Sequence, residues 1–410
     1  MPNRIAMSDI DWGLFFHAYG VAEDTPGHLR HLASDDEVLR TAAFEHLHGA
    51  VIHQGTIYSV TPAAVRSVAG LLAEPALRRL PVRGKPALSA ALNFLSEVAT
   101  SVDFADVAGA APPEPSDDDV AELSRQLRDA DAGGLGGEGL GWDSELIGVL
   151  MHRALLALRD LVGEVLAAVL PLLSDAEAEI WRVAVNTAAQ WGALSPGDAG
   201  TPAIASLLRQ HLDTREGREE RAGLVLALGK LGSDVSPWLD DPDEAVRACA
   251  ALFVQGERAN AELVSALTRP ERIDTWFKHR LAAFPMRGRF ALLAELVARK
   301  PQLEDILPAA LALIAHSSTM TVDIEWGRIL HMAFPEATAA FKPGVSPPPP
   351  TRLTSAQRAV VEALVANPAL WDPRNGNASL AWKRVGLTNA RADVITFLSR
   401  TPTREAGHHG

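Results

Sequence analysis

Apolar positions along this chain recur with a helical period, inside a unit that is written more than once. Leu170-Pro-Leu-Leu-Ser174-Asp175-Ala-Glu-Ala-Glu-Ile-Trp181-Arg182 reads as an apolar helix end, an acidic turn and the start of an amphipathic helix. Trp238-Leu-Asp240-Asp241-Pro242-Asp243-Glu-Ala-Val246-Arg247 has the same form, Leu29 to Arg40 has it near the start, and Leu208 to Arg221 repeats it loosely. Self-similarity of this kind marks a stacked-repeat architecture, in which each helix pair buries its apolar side on the next. The expected fold class is all-α, an α-solenoid of stacked antiparallel helix pairs.

Further helices are expected over 38–53, 62–73, 86–100, 178–191, 289–300, 303–316, 321–333, 354–366, 378–385 and 389–400. Thr25-Pro26, Thr61-Pro62 and Thr201-Pro202, with Ser195-Pro196 and Ser236-Pro237, read as N-caps followed by a helix-starting proline. The pattern fails from about 103 to 141, where Pro, Asp and Gly dominate around one short helix near 119–131, so a mobile insertion is expected there. The domain plan is thus 1–102 as N-terminal repeats with a cap, 103–141 as the insertion and 142–341 as central repeats. A stiff proline-rich linker at 342–352, a small helical module at 353–401 and a tail at 402–410 complete it.

Composition narrows the class. Of 410 residues, 47% are hydrophobic but only 6% aromatic, an aliphatic core rich in Ala that lets helices approach closely. The single cysteine, Cys249, lies among alanines and reads as a small buried hydrophobe. The most apolar long stretch, 154–173, carries Arg159, Asp160 and Glu164, so no membrane span is expected. Asp9 and Asp11 interrupt any secretory core, and a cytoplasmic location follows as the expectation. The net charge is −13, and residues 101–150 alone hold twelve Asp and Glu against two Arg. That balance disfavours nucleic acid as a partner.

The segments 29–40, 170–182 and 238–247 resemble the HEAT repeat, in particular its short phycobilisome-lyase-like form. His17-Ala-Tyr-Gly20, Glu23-Asp24 and His53-Gln-Gly-Thr56-x-Tyr58 are similar to the opening of actinobacterial HEAT-repeat proteins. The resemblance implies a scaffold or adaptor that takes a partner protein along a concave helical face. It implies neither a cofactor nor a reaction.

Two sets of residues are candidates for function. On the helix 178–191, Arg182, Asn186 and Gln190 share a face at spacings of four, and with Trp191, Arg221 and Arg247 they form a candidate partner-binding surface. Arg after the acidic turn also has a structural role open to it, pairing with the Asp of a neighbouring repeat. In some HEAT-like folds a basic ladder with Trp serves DNA glycosylases, but the global acidity weighs against that enzyme here.

The second set is N-terminal. Six of the thirteen His and both Tyr fall within the first 58 residues, and His17, Tyr19, Glu23, Asp24, His53, Gln54 and Tyr58 could line a ligand pocket. The plainer reading is an end cap whose ring nitrogens and hydroxyls satisfy buried turn backbone. His28 with His31 and His46 with His48 are possible metal pairs, but the rings of His46 and His48, two apart on a helix, point away from each other, and no familiar ligand spacing accompanies either pair. No metal and no cofactor are expected. Gly134-x-Gly136-x-x-Gly139 matches the dinucleotide fingerprint in letters only, since no strand precedes it and acidic residues surround it. No recognisable catalytic constellation emerges, so a non-enzymatic protein binder leads, with a small-ligand binder or enzyme at the N-terminal cluster as the alternative.

Overall fold

The computed structural model describes residues 10–105, 112–132, 144–195, 200–277 and 287–403. Among these the regular structure is almost wholly helical, and the only strands are two short antiparallel hairpins. The all-α expectation holds. The chain divides into two compact units, residues 1–215 with 230–233, and residues 216–229 with 234–410. The division falls inside the stretch 142–341 that the sequence reads as one run of repeats.

Unit 1 opens with β1 (Phe16–His17) and β2 (Gly20–Val21), then α1 (Thr25–His31) and α2 (Glu37–His46). The chain continues through a π turn at Leu47–Val51 to α3 (Thr61–Leu71) and α4 (Pro75–Arg79). A second hairpin, β3 (Pro81–Val82) and β4 (Lys85–Pro86), leads into α5 (Ala87–Phe104) and α6 (Asp117–Ala132). The unit is completed by α7 (Glu145–Asp160), α8 (Val162–Val169), α9 (Ala178–Leu194) and α10 (Gly200–Thr214). Its core joins many aliphatic side chains to the buried rings of Phe16, Phe94, Trp181 and Trp191: α5 and α9 pack along their lengths, α9 also lies on α8, and α3 covers α7 and α8.

Unit 2 holds all but the last residue of α11 (Arg218–Lys230), then α12 (Glu244–Ala251), α13 (Glu257–Leu267), α14 (Pro270–Ile273) and α15 (Gly288–Ala298). Then come α16 (Leu303–His316), α17 (Trp326–Ala333), α18 (Pro335–Ala340), α19 (Ser355–Ala366), α20 (Gly376–Arg384) and α21 (Arg391–Arg400). Successive pairs contact, α12 with α13, α13 with α16, α16 with α19, and α19 with α21. The polyproline run does not stand clear of the helices: it lies against Gly386, where an added Cβ would meet the Pro347 and Pro348 carbonyl oxygens at 2.7 Å.

The repeated acidic turn has one local structure in two places. In unit 1 the Asp36 amide donates to Ser34 Oγ, the Asp36 carboxylate caps the amides of Val38 and Leu39, and Arg40 Nη1 donates to the Ser34 carbonyl at 2.5 Å. In unit 2 the Asp243 amide donates to Asp241 Oδ1, Asp243 caps Ala245, and Arg247 Nη1 donates to the Asp241 carbonyl at 2.9 Å. The arginine sits six residues after the first turn residue each time. In the copy beginning at Asp175 that position is Trp181, and Arg182 pairs instead with Glu179 of its own helix.

Some expectations need correction. The three Thr–Pro dipeptides do start helices, but no threonine hydroxyl among them caps, and that of Thr201 has no hydrogen-bond partner. Thr25 Oγ1 lies 2.9 Å from His46 Nε2, and Thr61 Oγ1 donates to the Val51 carbonyl at 2.8 Å. Thr25 and Thr61 are fully buried, so tertiary partners take the groups that would have served those helix ends. Within the expected insertion, α6 is an ordered helix packed on β2, with Arg128 Nη2 2.7 Å from Glu23. The glycine-rich stretch with its fingerprint-like letters and the tail from 404 lie outside the described residues.

Candidate functional site

Unit 1 carries both features that merit a functional reading. The first is the N-terminal cluster. The β1–β2 hairpin pairs Phe16 with Val21 and His17 with Gly20, and the Ala18 amide pins its turn to the Ala50 carbonyl. This places His17 against Asp24, which precedes α1, and His46, the last residue of α2.

The distances are short. His17 Nε2 lies 3.0 Å from Asp24 Oδ1, and His46 Nδ1 lies 3.7 Å from Asp24 Oδ2. One donor atom from each of the three side chains falls within 4.8 Å of the others. His28 stacks on His46 with ring centroids 4.1 Å apart and planes 9° apart. Tyr19, 60% exposed, stands edge-on to His17 and His53.

Electrostatics follow from this crowding. Burial opposes the charge on Asp24, but the hydrogen bond from His17 and the histidines around it outweigh that cost and hold its carboxyl down at about 2. Burial pushes His46 down to about 4, against the pull of the Asp24 carboxylate, with His28 and His17 adding to the decrease. Asp24 is thus a carboxylate, and His46 a neutral imidazole, at neutral pH.

Of the sequence's pocket candidates, the structure gathers His17, Asp24 and Tyr19, with His53 beyond Tyr19. His53 Nδ1 is 3.0 Å from the Gly49 carbonyl, and His17 Nδ1 accepts the Tyr19 amide at 3.1 Å, which are backbone-satisfying roles. Glu23 instead faces Arg128, Gln54 is exposed at a backbone φ of 51°, and Tyr58 is buried, which raises its phenol. The histidine pairs imagined from spacing do not form. His46 joins Asp24, while His48 Nδ1 lies 2.7 Å from Glu97. Residues 24 and 46 lie on separate segments, so no spacing rule could find them.

The second feature is a cleft of about 580 Å³ between α2, the β3–β4 hairpin and α5. Phe44, Val82 and Ala90 give it apolar lining, and Thr41, Ser89 and Asn93 give it polar atoms. Ser89 has no exposure, and its hydroxyl has no hydrogen-bond partner. Both signs of charge border it: Arg83 pairs with Glu45 at 2.6 Å, Lys85 with Glu179 at 2.8 Å and His48 with Glu97. The hairpin turn has positive φ at Arg83 and Gly84, the form that matches strand twist in two-residue loops.

The face proposed on α9 lies elsewhere. Asn186, Gln190 and Trp191 are buried in the seam with α5, not turned to solvent. Asn186 Nδ2 donates to Ser96 Oγ at 2.5 Å, and Trp191 Nε1 to the Leu95 carbonyl at 2.8 Å. Arg221 pairs with Asp241 of the turn before α12, and Arg247 with Glu262 of α13 at 3.0 Å.

Among the described residues no helix is long and apolar enough to cross a membrane. Comparison with known proteins finds no matching family model, no matching curated protein and no matching solved structure.

Proposed function

We propose that this protein is a partner-binding protein of the HEAT-repeat kind, and that a segment of its partner docks in the cleft between α2, the β3–β4 hairpin and α5. The repeated turn, built alike at 34–40 and 241–247, supports the repeat reading. The observation that carries the binding reading is the cleft itself, about 580 Å³ with Phe44, Val82 and Ala90 on its apolar wall and Thr41 and Asn93 offering polar atoms. A peptide segment fits: it offers an apolar side chain for the lining and backbone donors and acceptors for Thr41 and Asn93. Because the rim charges are already paired, the segment needs no large net charge.

Ala90→Trp and Thr41→Trp fill the cleft from opposite walls. Measured by fluorescence anisotropy against a peptide array, each should weaken the peptides that the parent protein selects by at least tenfold, with the melting temperature held. Undiminished binding in both variants overturns the assignment. A small molecule is the second reading, favoured by a volume of about 580 Å³, which suits drug-sized ligands. A thermal-shift response to small compounds but to no peptide would select it.

A further inference from the structure

We propose that Asp24, His46 and His17 hold a divalent transition-metal ion. The site is separate from the cleft and does not rest on it. The Asp24 carboxylate lies 3.0 Å from His17 Nε2 and 3.7 Å from His46 Nδ1. Ligand atoms bound to one ion at roughly 2.0–2.2 Å stand about 3 to 3.5 Å from one another; here one donor atom from each side chain lies within 4.8 Å of the others, so a small inward shift brings the three onto one ion. Two imidazoles and one carboxylate suit zinc, iron, nickel or copper; calcium and magnesium prefer oxygen alone.

The surroundings of His46 supply a second observation. A ligating histidine almost always engages an oxygen through its far nitrogen, which sets the ring's tautomer and direction. His46 Nε2 lies 2.9 Å from the hydroxyl of Thr25, a residue with no exposure. With an ion bound, Nε2 would carry the proton and donate it to the Thr25 hydroxyl, leaving the Nδ1 lone pair on the side of Asp24. The flat ring of His28 fixes the plane of His46 and brings a buried Nδ1 that has no partner of its own. Three protein ligands leave a coordination position for water or another group, as in open zinc sites.

His17 sets the condition for loading. The Tyr19 amide donates to its Nδ1, so in the metal-free protein the proton sits on Nε2 and is donated to Asp24. An ion on Nε2 requires the other tautomer, and the Tyr19 amide must then turn away. Tyr19 is at the exposed tip of a two-residue hairpin turn, where water can take that amide. Loading therefore gives up two hydrogen bonds, Tyr19 amide to Nδ1 and Nε2 to Asp24, for metal bonds to Nε2 and the carboxylate, without net proton release from a neutral ring.

The full chain, stripped with EDTA, is titrated with cobalt(II) and followed by its d–d absorption, then competed with zinc. One tight cobalt per chain is expected. Asp24→Asn and His46→Gln should each weaken it by more than tenfold, and Thr25→Val by about tenfold although it removes no ligand. His31→Gln, on the same helix as Thr25, should leave it unchanged. Zinc should also raise the melting temperature of the parent protein and shift the Tyr19 amide resonance. Absence of tight cobalt in the parent protein overturns the proposal. So does equal binding by folded Asp24→Asn and His46→Gln, or a Tyr19 amide that zinc does not move.

Discussion

Arg40 donates to the single carbonyl oxygen of Pro81 twice, from Nε at 2.9 Å and from Nη2 at 2.7 Å. Its Nη1 reaches back to the Ser34 carbonyl, and the residue is only 2% exposed. One buried cation thus joins the acidic turn before α2 to the hairpin that walls the cleft. Only a planar fork can do this, because the donors must diverge in one plane.

Replacement of Arg40 tests that junction. Arg40→Ala removes all three bonds to the Ser34 and Pro81 carbonyls together with a buried side chain, and should cost unit 1 about 3 kcal/mol, with loss of ligand binding in the cleft. Arg40→Lys keeps the charge but cannot serve both carbonyls, and should cost about half as much. Chemical denaturation read by a probe in α2 checks both, and equal stability of Arg40→Lys and the parent protein would show that the fork is dispensable.

Much of this junction is legible in sequence, and its limits are instructive. Ser34, Asp36 and Arg40 are close in the chain, so the turn they build can be read from letters, and Asp241, Asp243 and Arg247 spell it again. Asn186 and Gln190 were a different matter: spacing by four shows that they share a face, but not that α5 covers that face. Thr25 and Thr61 misled in the same way, since a Thr–Pro pair describes a helix start and is silent about His46 or Val51. The Asp24–His46 contact depends on α1 and α2 meeting, which is tertiary information.

In unit 2 the buried pair Arg289–Glu325 offers a second test. Arg289 Nε lies 2.9 Å from Glu325 Oε1, Ser317 Oγ donates to Oε2 at 2.5 Å, and Glu325 has no exposure. Arg289 also contacts Asp274. Glu325→Ala leaves a guanidinium half-neutralised away from water and should destabilise unit 2 by about 3–5 kcal/mol. Replacing Glu325 together with Arg289 by apolar residues of similar size should recover part of that loss. Hydrogen exchange in α15 and α17 reports it, and no change on Glu325→Ala would remove the pair from the account of stability.

Gly386 has φ +76°, and the Pro347 and Pro348 carbonyls stand where a side chain would begin. Gly386→Ala meets both obstacles, backbone strain and a collision with main chain that cannot swing aside. It should cost about 2 kcal/mol or more and expose the segment 342–352 to limited proteolysis. Unaltered proteolysis would mean that the proline run is held by other contacts.

The last test uses acid. His331 is shielded by α20, its Nε2 lies 3.3 Å from the Ala381 carbonyl, and burial lowers its pKa below the ordinary 6.5. The backbone bond opposes that decrease, and Arg384 adds to it. Between the lowered value and 6.5 the unfolded chain carries a proton on this histidine that the folded chain does not. Stability from this group is therefore complete above about pH 6.5 and is lost as the pH falls through that window. His331→Gln keeps a donor for Ala381 without a titration, so the melting temperature of unit 2 should fall less between pH 7 and pH 5 in this variant than in the parent protein. Parallel curves for the two would place the acid sensitivity of unit 2 on other groups.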